Sequence, residues 1–120
     1  YENLMLNLNR IWENGSDPIS VIRSAQRHFQ RLHFVLSTVN TGESVDTALK
    51  KLKPPIFWRV TSRFKAQLNI WSLELIESSL LRLTEAEIAV IKGSIPGPLA
   101  CDRALLAISQ FAKKSKINKR

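Results

Sequence analysis

The stretch SDPISVIRSAQRHFQRLHFVLSTVN, residues 16–40, carries the strongest pattern in the chain. Ser16 and Asp17 supply capping side chains, and Pro18 follows at the first helical position, where its missing N–H costs nothing. Apolar residues then recur three or four positions apart along about 30 Å of helix, at Ile22, Ala25, Phe29, Leu32, Leu36 and Val39. The pattern predicts a long amphipathic helix that buries one stripe in a helical core.

Apolar residues at helical spacing predict five more helices around this one. In chain order their apolar positions are Leu4, Leu8, Ile11 and Trp12; Val45, Ala48, Leu49 and Leu52; Phe57, Val60, Phe64, Leu68 and Trp71; Leu73, Ile76, Leu80, Leu83 and Val90; and Cys101, Ala104, Leu105, Ile108 and Phe111. Gly15 is predicted to end the first helix, Ser44 and Ser72 to cap two others, and Pro98 to start the last.

The paired prolines in KKLKPPIFWR, residues 50–59, are predicted to separate two helices directly. A residue before proline is pushed out of the α region, so Pro54 should stop the preceding helix. Pro55 has its φ pre-set for a first helical turn, so the next helix should begin at once.

No stretch shows sustained strand alternation, and the fold class is therefore predicted to be all-α, a compact bundle of about six helices with short connections. We expect one helical domain over residues 1–112 and a basic, disordered tail over 113–120, which holds five of the eighteen basic residues.

Because the chain opens at Tyr1, it is expected to be a C-terminal fragment of a longer protein. The apolar runs are far shorter than the roughly 20 residues of a membrane helix, which predicts a cytoplasmic location without membrane contact.

The sequence predicts no catalytic, cofactor-binding or metal-binding residue. His28 and His33 lie five positions apart, about 140° around a helix, and cannot share a metal on a straight helix. Cys101 sits among small apolar residues, and no glycine-rich phosphate loop is present. The chain is therefore not expected to be an enzyme by itself.

Two sets of basic residues are candidate contacts for a partner subunit or DNA. Arg23, Arg27 and Arg31 recur every four residues and form a ridge on the long helix. The second set has no acidic residue interleaved and consists of Lys50, Lys51, Lys53, Arg59, Arg63 and Lys65. Four roles remain open for these basic residues: a solvated face, contact with a partner subunit, contact with phosphates, or pairing with the glutamates of the fifth helix, Glu74, Glu77, Glu85 and Glu87. Phe57, Phe64 and Trp71 share one helical face and are predicted to be core residues, not platforms for nucleic-acid bases.

Four segments in order resemble the C-terminal region of the bacterial DNA polymerase III delta subunit: RHFQRLH (27–33), GESVDTALKKLKPPIFWR (42–59), FKAQLNIWSLELIESSLLRLTEAE (64–87) and CDRALLAIS (101–109). The structural signature that matches that family is the proline pair with its aromatic neighbour, Pro54, Pro55 and Phe57, and the Trp-Ser helix junction at Trp71 and Ser72.

The resemblance implies the helical collar domain of a clamp-loader subunit, part of the polymerase III holoenzyme that places the sliding clamp on DNA during replication. It implies delta prime and gamma/tau subunits as partners through the collar. It also implies that the sliding clamp is contacted only by an N-terminal part outside this chain. No catalysis and no cofactor in this domain are implied.

The leading hypothesis is thus a non-catalytic assembly domain whose last two helices, with their wide apolar coverage, dock on neighbouring subunits. The alternative is a helical nucleic-acid-binding module that uses the basic 50–65 cluster, with DNA contact that weakens as salt rises. An enzyme remains conceivable only with an active site outside this chain.

Overall fold

The computed structural model describes residues 10–118, and side chains as far as Lys114. Its elements are a helical turn at residues 10–13, α1 (Pro18–Asn40), α2 (Val45–Lys50), a 3-10 turn (Trp58–Val60), α3 (Thr61–Ile70), α4 (Leu73–Lys92) and α5 (Gly97–Asn118). No strand occurs in this range. The predicted all-α bundle is confirmed.

The long helix α1 begins and packs as its sequence predicts. The carboxylate of Asp17 accepts a hydrogen bond from the backbone N–H of Ser20, with Pro18 in the first turn. Its buried residues are Ile22, Phe29, Leu32 and Val35, while Ala25, Leu36 and Val39 are partly buried against the core. Burial of Val35 was missed, because the short helix α2 also packs on α1 and widens the covered face.

Helix α4 lies between α1 and α5 and packs along both. Ser72 caps it as predicted, accepting a hydrogen bond from the N–H of Leu75, and Gly93 ends it in the left-handed conformation with φ 72°. Its buried positions include Ile76 and Leu83, both fully inaccessible. A helix packed on two sides explains why its apolar surface is broad.

An aromatic contact joins α1 to the junction of α3 and α4. The rings of Phe29 and Trp71 meet edge to face with centroids 5.0 Å apart, and both side chains are buried. The indole N–H of Trp71 donates to the Gln67 side-chain oxygen at 2.9 Å, so burial leaves it satisfied. Phe64 and Leu68 on α3 complete this part of the core.

The predicted direct passage from one helix to the next at the proline pair is wrong. Helix α2 ends at Lys50 and α3 starts only at Thr61, after a non-helical stretch and the 3-10 turn. Pro54 and Pro55 offer no N–H and restrict the residues before them, so a helix cannot continue through this stretch; the Lys53–Pro54 peptide is cis. Phe57 and Val60 consequently stay exposed, at 58% and 40%, instead of joining the core.

The ends of the chain differ in part from expectation. Gly15, with φ 78°, ends the helical turn at 10–13 as predicted, whereas Leu4 and Leu8 lie outside the described residues. Helix α5 starts at Gly97, one residue before the predicted Pro98. It continues to Asn118, so residues 113–118 of the predicted tail are helical, while residues 119–120 lie outside the described residues.

Gly97 is required by a close approach between the start of α5 and the start of α1. A Cβ at this position would lie 2.8 Å from Cγ and 3.1 Å from Cβ of Pro18. Gly97→Ala should therefore destabilise the fold by about 1–3 kcal/mol, the usual cost of forcing an extra methyl group into a packed contact. Chemical denaturation of G97A and the parent measures this loss in the free energy of unfolding. Because Pro18→Ala removes the clashing Cγ, the double variant should recover part of the loss; equal stability of G97A and the parent would contradict the contact.

Candidate interaction surfaces

The arginine ridge on α1 is largely engaged within the molecule. Arg23 donates from Nε to Glu87 of α4 at 2.9 Å, and Gln26 contacts the other carboxylate oxygen at 3.4 Å. These hydrogen bonds, first that from Arg23, hold the pKa of the Glu87 carboxyl below its usual value. Arg27 reaches only the Ser24 hydroxyl, at 3.3 Å. The expected acidic neighbour of the ridge is therefore present for Arg23.

Two lysines of the second basic set also have acidic partners nearby. Lys51 contacts Glu43 at 2.6 Å and Lys65 contacts Asp46 at 2.9 Å. The hydrogen bond from Lys65 lowers the pKa of Asp46, and the charge of Lys50 adds a smaller contribution. None of these pairs involves the glutamates of α4, which were the partners considered from sequence.

Three more basic residues of that set, Lys53, Arg59 and Arg63, lie close in sequence to an exposed aromatic pair. Trp58 is 72% and Phe57 58% exposed, and their rings lie with centroids 5.8 Å apart. The Arg59 guanidinium sits over the Trp58 ring, 5.1 Å from its centroid. Lys53 and Arg63 are exposed nearby in sequence, and within residues 10–118 no carboxylate pairs with them. We call Lys53, Phe57, Trp58, Arg59 and Arg63 the aromatic-basic segment.

Arg31 connects α1 to the loop that leads into the aromatic-basic segment. Its Nη2 donates to the Pro54 carbonyl at 2.6 Å, and its Nε is buried with no hydrogen-bond partner. The side chain separates two surface hollows. One, of about 400 Å³, is lined by His28, Ile56, Val60, Arg63, Phe64 and Gln67. The other, of about 340 Å³, is lined by Gln30, Phe34, Lys51, Leu52 and Lys53.

His28 borders the larger of these hollows and packs on aromatic rings. Its imidazole meets Phe29 and Phe64 edge to face, with centroids 5.6 Å and 6.2 Å away. Partial burial, and secondly the Arg31 charge, lower the pKa of His28. The neutral ring is thus favoured, which suits its packing on the two aromatic rings.

Helix α4 carries a second surface, on the side turned away from the core. Leu81, Ile88 and Ile91 are 59%, 47% and 67% exposed. Positions 81, 88 and 91 fall within about 80° around a helix, so the three side chains form one line, here called the outer α4 stripe. Single exposed apolar residues are ordinary on protein surfaces, but an aligned set is typical of a contact face.

Acidic residues border the outer α4 stripe. Glu74, Glu77 and Glu85 are exposed on the same helix. Glu77 lies 3.2 Å from the His33 ring, while Glu74 and Glu85 form no ion pair within the described residues. On a chain with formal net charge +8, the border of this face is acidic except at the end of the helix, where the exposed Lys92 lies one turn after Ile88. A partner that offers apolar and basic side chains would complement it.

The described residues contain no group of side chains arranged as a metal centre. Among them, no three His, Cys, Asp or Glu side chains form a group able to hold a metal ion. Burial, and secondly the neighbouring Asp102 charge, raise the pKa of the Cys101 thiol to about 11, which keeps it protonated near neutral pH. No helix in the described range has the length and apolar character needed to cross a membrane.

Trp58 is the site residue that the sequence reasoning missed. Phe57 and Trp58 are adjacent, so they point in directions about 100° apart on any helix and cannot share one buried stripe. Together with the proline pair just before them, this was the available signal that the segment lies at the surface.

Comparison with known proteins agrees with the resemblance seen in the sequence motifs. No family model matches the chain, and no solved structure matches it significantly. A probable DNA polymerase III subunit delta of Rickettsia prowazekii (strain Madrid E) is 32% identical over 88 residues, which are 73% of this chain. The match spans only 27% of that relative. The similarity supports, for most of this chain, the family that its motifs resemble, the delta subunit of bacterial DNA polymerase III.

Proposed function

We propose that the chain is a non-catalytic assembly domain of a DNA polymerase III delta subunit, the collar part of a clamp loader. The observation that supports it most directly is the outer α4 stripe, Leu81, Ile88 and Ile91, exposed on a helix already packed on two other sides. Similarity to a delta subunit over 88 residues supports the same family. Loading of the sliding clamp belongs to the whole protein and to segments outside this chain.

The chemistry of the stripe favours a protein partner over solvent. Burying three aliphatic side chains of this size stabilises a complex by roughly 25 cal/mol per Å² of apolar area removed from water. The glutamates at its border would remain at the rim of such a contact, where charges set orientation and association rate. Delta prime and gamma/tau are the partners proposed for this face.

Co-expression tests the proposal directly. The chain is produced with the corresponding delta prime and gamma/tau domains, and the mass of the purified complex is measured by light scattering at moderate and high salt. A discrete complex that survives high salt is expected, because apolar contacts are not screened. A chain that stays monomeric beside those partners at both salt concentrations would refute the assembly role.

A specific observation favours a second function, contact with single-stranded DNA by the aromatic-basic segment. Trp58 is the most exposed large apolar side chain of the described residues, at 72%. Indole is a good surface for stacking bases, and the Arg59 guanidinium lies over it; Lys53 and Arg63, near it in the sequence, also lack carboxylate partners within the described residues. This differs from the alternative drawn from sequence, in which the aromatic residues of the region were assigned to the core.

Trp58→Ala should weaken binding of a fluorescent oligo(dT) about five- to 150-fold, since base stacking on one aromatic side chain contributes about 1–3 kcal/mol. Fluorescence anisotropy at low salt measures the affinity. Trp58→Phe keeps a stacking ring and should retain most of it, and Leu81→Ala on α4 should change nothing. Equal affinities of W58A and the parent would remove Trp58 from any DNA contact.

A further inference from the structure

The loop before the aromatic pair has little of its own to hold it in place. Pro54 and Pro55 lack an N–H, and no backbone hydrogen bond within the described residues involves residues 53–56. Leu52 is buried and Ile56 partly buried against the core, which fixes both ends by apolar contact. The bond from Arg31 to the Pro54 carbonyl is the polar attachment that the structure provides between them.

The surroundings of Arg31 offer no other side chain that could support the Pro54 loop in its place. Hollows of about 340 and 400 Å³ lie on its two sides, so no packed side chain supports the loop there. The guanidinium reaches across from α1 while its Nε stays buried without a partner. A Lys could reach with a single ammonium but lacks the planar fork.

We propose that Arg31 is a positioning residue that holds the Pro54 loop against α1 and thereby sets where Phe57 and Trp58 stand for contact with single-stranded DNA. The DNA part rests on the second proposed function; the placement of the loop does not. Arg31 acts through the Pro54 carbonyl, 2.6 Å away, and not by meeting phosphate itself.

The salt dependence of DNA binding separates these two roles. Removing a side chain that contacts phosphate lowers the slope of log affinity against log salt by about 0.7 on single strands. Removing a positioning residue weakens binding but leaves the number of phosphate contacts, and hence the slope, unchanged. Arg31→Met should therefore weaken oligo(dT) binding about five- to tenfold with an unchanged slope, which lies at the lower end of the range expected for loss of the Trp58 ring.

Three variants control the experiment. Arg27→Met removes the same charge one turn earlier on α1, where the side chain reaches only Ser24, and should have little effect. Arg63→Met removes an exposed unpaired cation of the aromatic-basic segment and should lower the slope. Arg31→Lys keeps one donor and should fall between R31M and the parent.

Hydrogen exchange measured by mass spectrometry provides a readout that needs no DNA. In R31M the hydrogen-bonded amides of Val60 and Thr61, which donate to the carbonyls of Phe57 and Trp58, should exchange faster, while those of α4 and α5 should keep their protection. Thermal unfolding of R31M close to that of the parent would show that the loss is local.

Each outcome decides the proposal. Weaker binding at unchanged slope with faster exchange at residues 60 and 61 supports it. Affinity loss equal to that of R27M, or a slope lowered like that of R63M, overturns it. If no variant and no parent chain binds oligo(dT), the DNA function fails, and exchange alone then decides whether Arg31 positions the loop: faster exchange supports that, and unchanged exchange overturns it.

Discussion

Replacing both Leu81 and Ile88 by Asp is expected to abolish assembly with delta prime and gamma/tau. Two carboxylates in the centre of the outer α4 stripe would have to be desolvated without a partner on binding, beside the existing Glu77 and Glu85. Loss of two apolar contacts and this desolvation should weaken the complex by more than about 100-fold. Light scattering of the co-expressed subunits measures the outcome.

The fold should tolerate these two substitutions. Leu81 is 59% and Ile88 47% exposed, and surface changes away from packed features usually alter stability by about 0.5 kcal/mol or less. Phe34→Asp is a matched control, since Phe34 is 40% exposed on α1 and lies outside the stripe. It should leave assembly intact. Assembly of L81D/I88D at parental strength would exclude the stripe as the docking face. If F34D also prevented assembly, the added negative charge would be the cause and not its position on the stripe.

The core of the fold could be predicted from local patterns because helical periodicity and capping are local properties. The stripe of Ile22, Phe29 and Leu32 and the caps at Asp17 and Ser72 follow from spacing and side-chain chemistry alone. The broad apolar surface of α4 correctly indicated packing on more than one side. That some apolar residues of α4 stay exposed could be expected from the sequence, but not which ones. Only the packing of the helices shows which apolar side chains form the outer α4 stripe.

The sequence was enough to name the candidate contact residues, but not to tell which of them pair with carboxylates inside the molecule. Arg23, Lys51 and Lys65 have carboxylate partners that depend on which helices meet, a property of the tertiary structure. The failure at the proline pair has a different origin. Two consecutive prolines were interpreted as a stop and a start, yet the helix does not resume directly after them: residues 51–57 are not helical, and Phe57 lies outside the core. The roles of these residues in binding stay predictions.

Phe29→Ala should be the most destabilising single substitution considered for this chain. The side chain is 6% exposed and meets the buried Trp71 ring edge to face at 5.0 Å. Truncation removes the buried ring and leaves a cavity, with a usual cost of about 3–5 kcal/mol. Domains of this size have a free energy of unfolding of about 5–15 kcal/mol, so a large share of the stability would be lost. Urea denaturation followed by circular dichroism measures it.

Two further variants test whether the aromatic contact itself contributes to that loss. Phe29→Leu keeps most of the buried apolar volume but removes the edge-to-face geometry, which contributes about 0.5–1.5 kcal/mol beyond burial. A double-mutant cycle of Phe29→Leu with Trp71→Leu should therefore show a coupling of that size, because the two rings touch. Phe34→Ala, on an exposed position of the same helix, should cost far less than Phe29→Ala. If F29A cost less than about 1 kcal/mol, the packing of α1 against the α3–α4 junction described here would be wrong, and the bundle would have to be held mainly by the contact of α4 with α5.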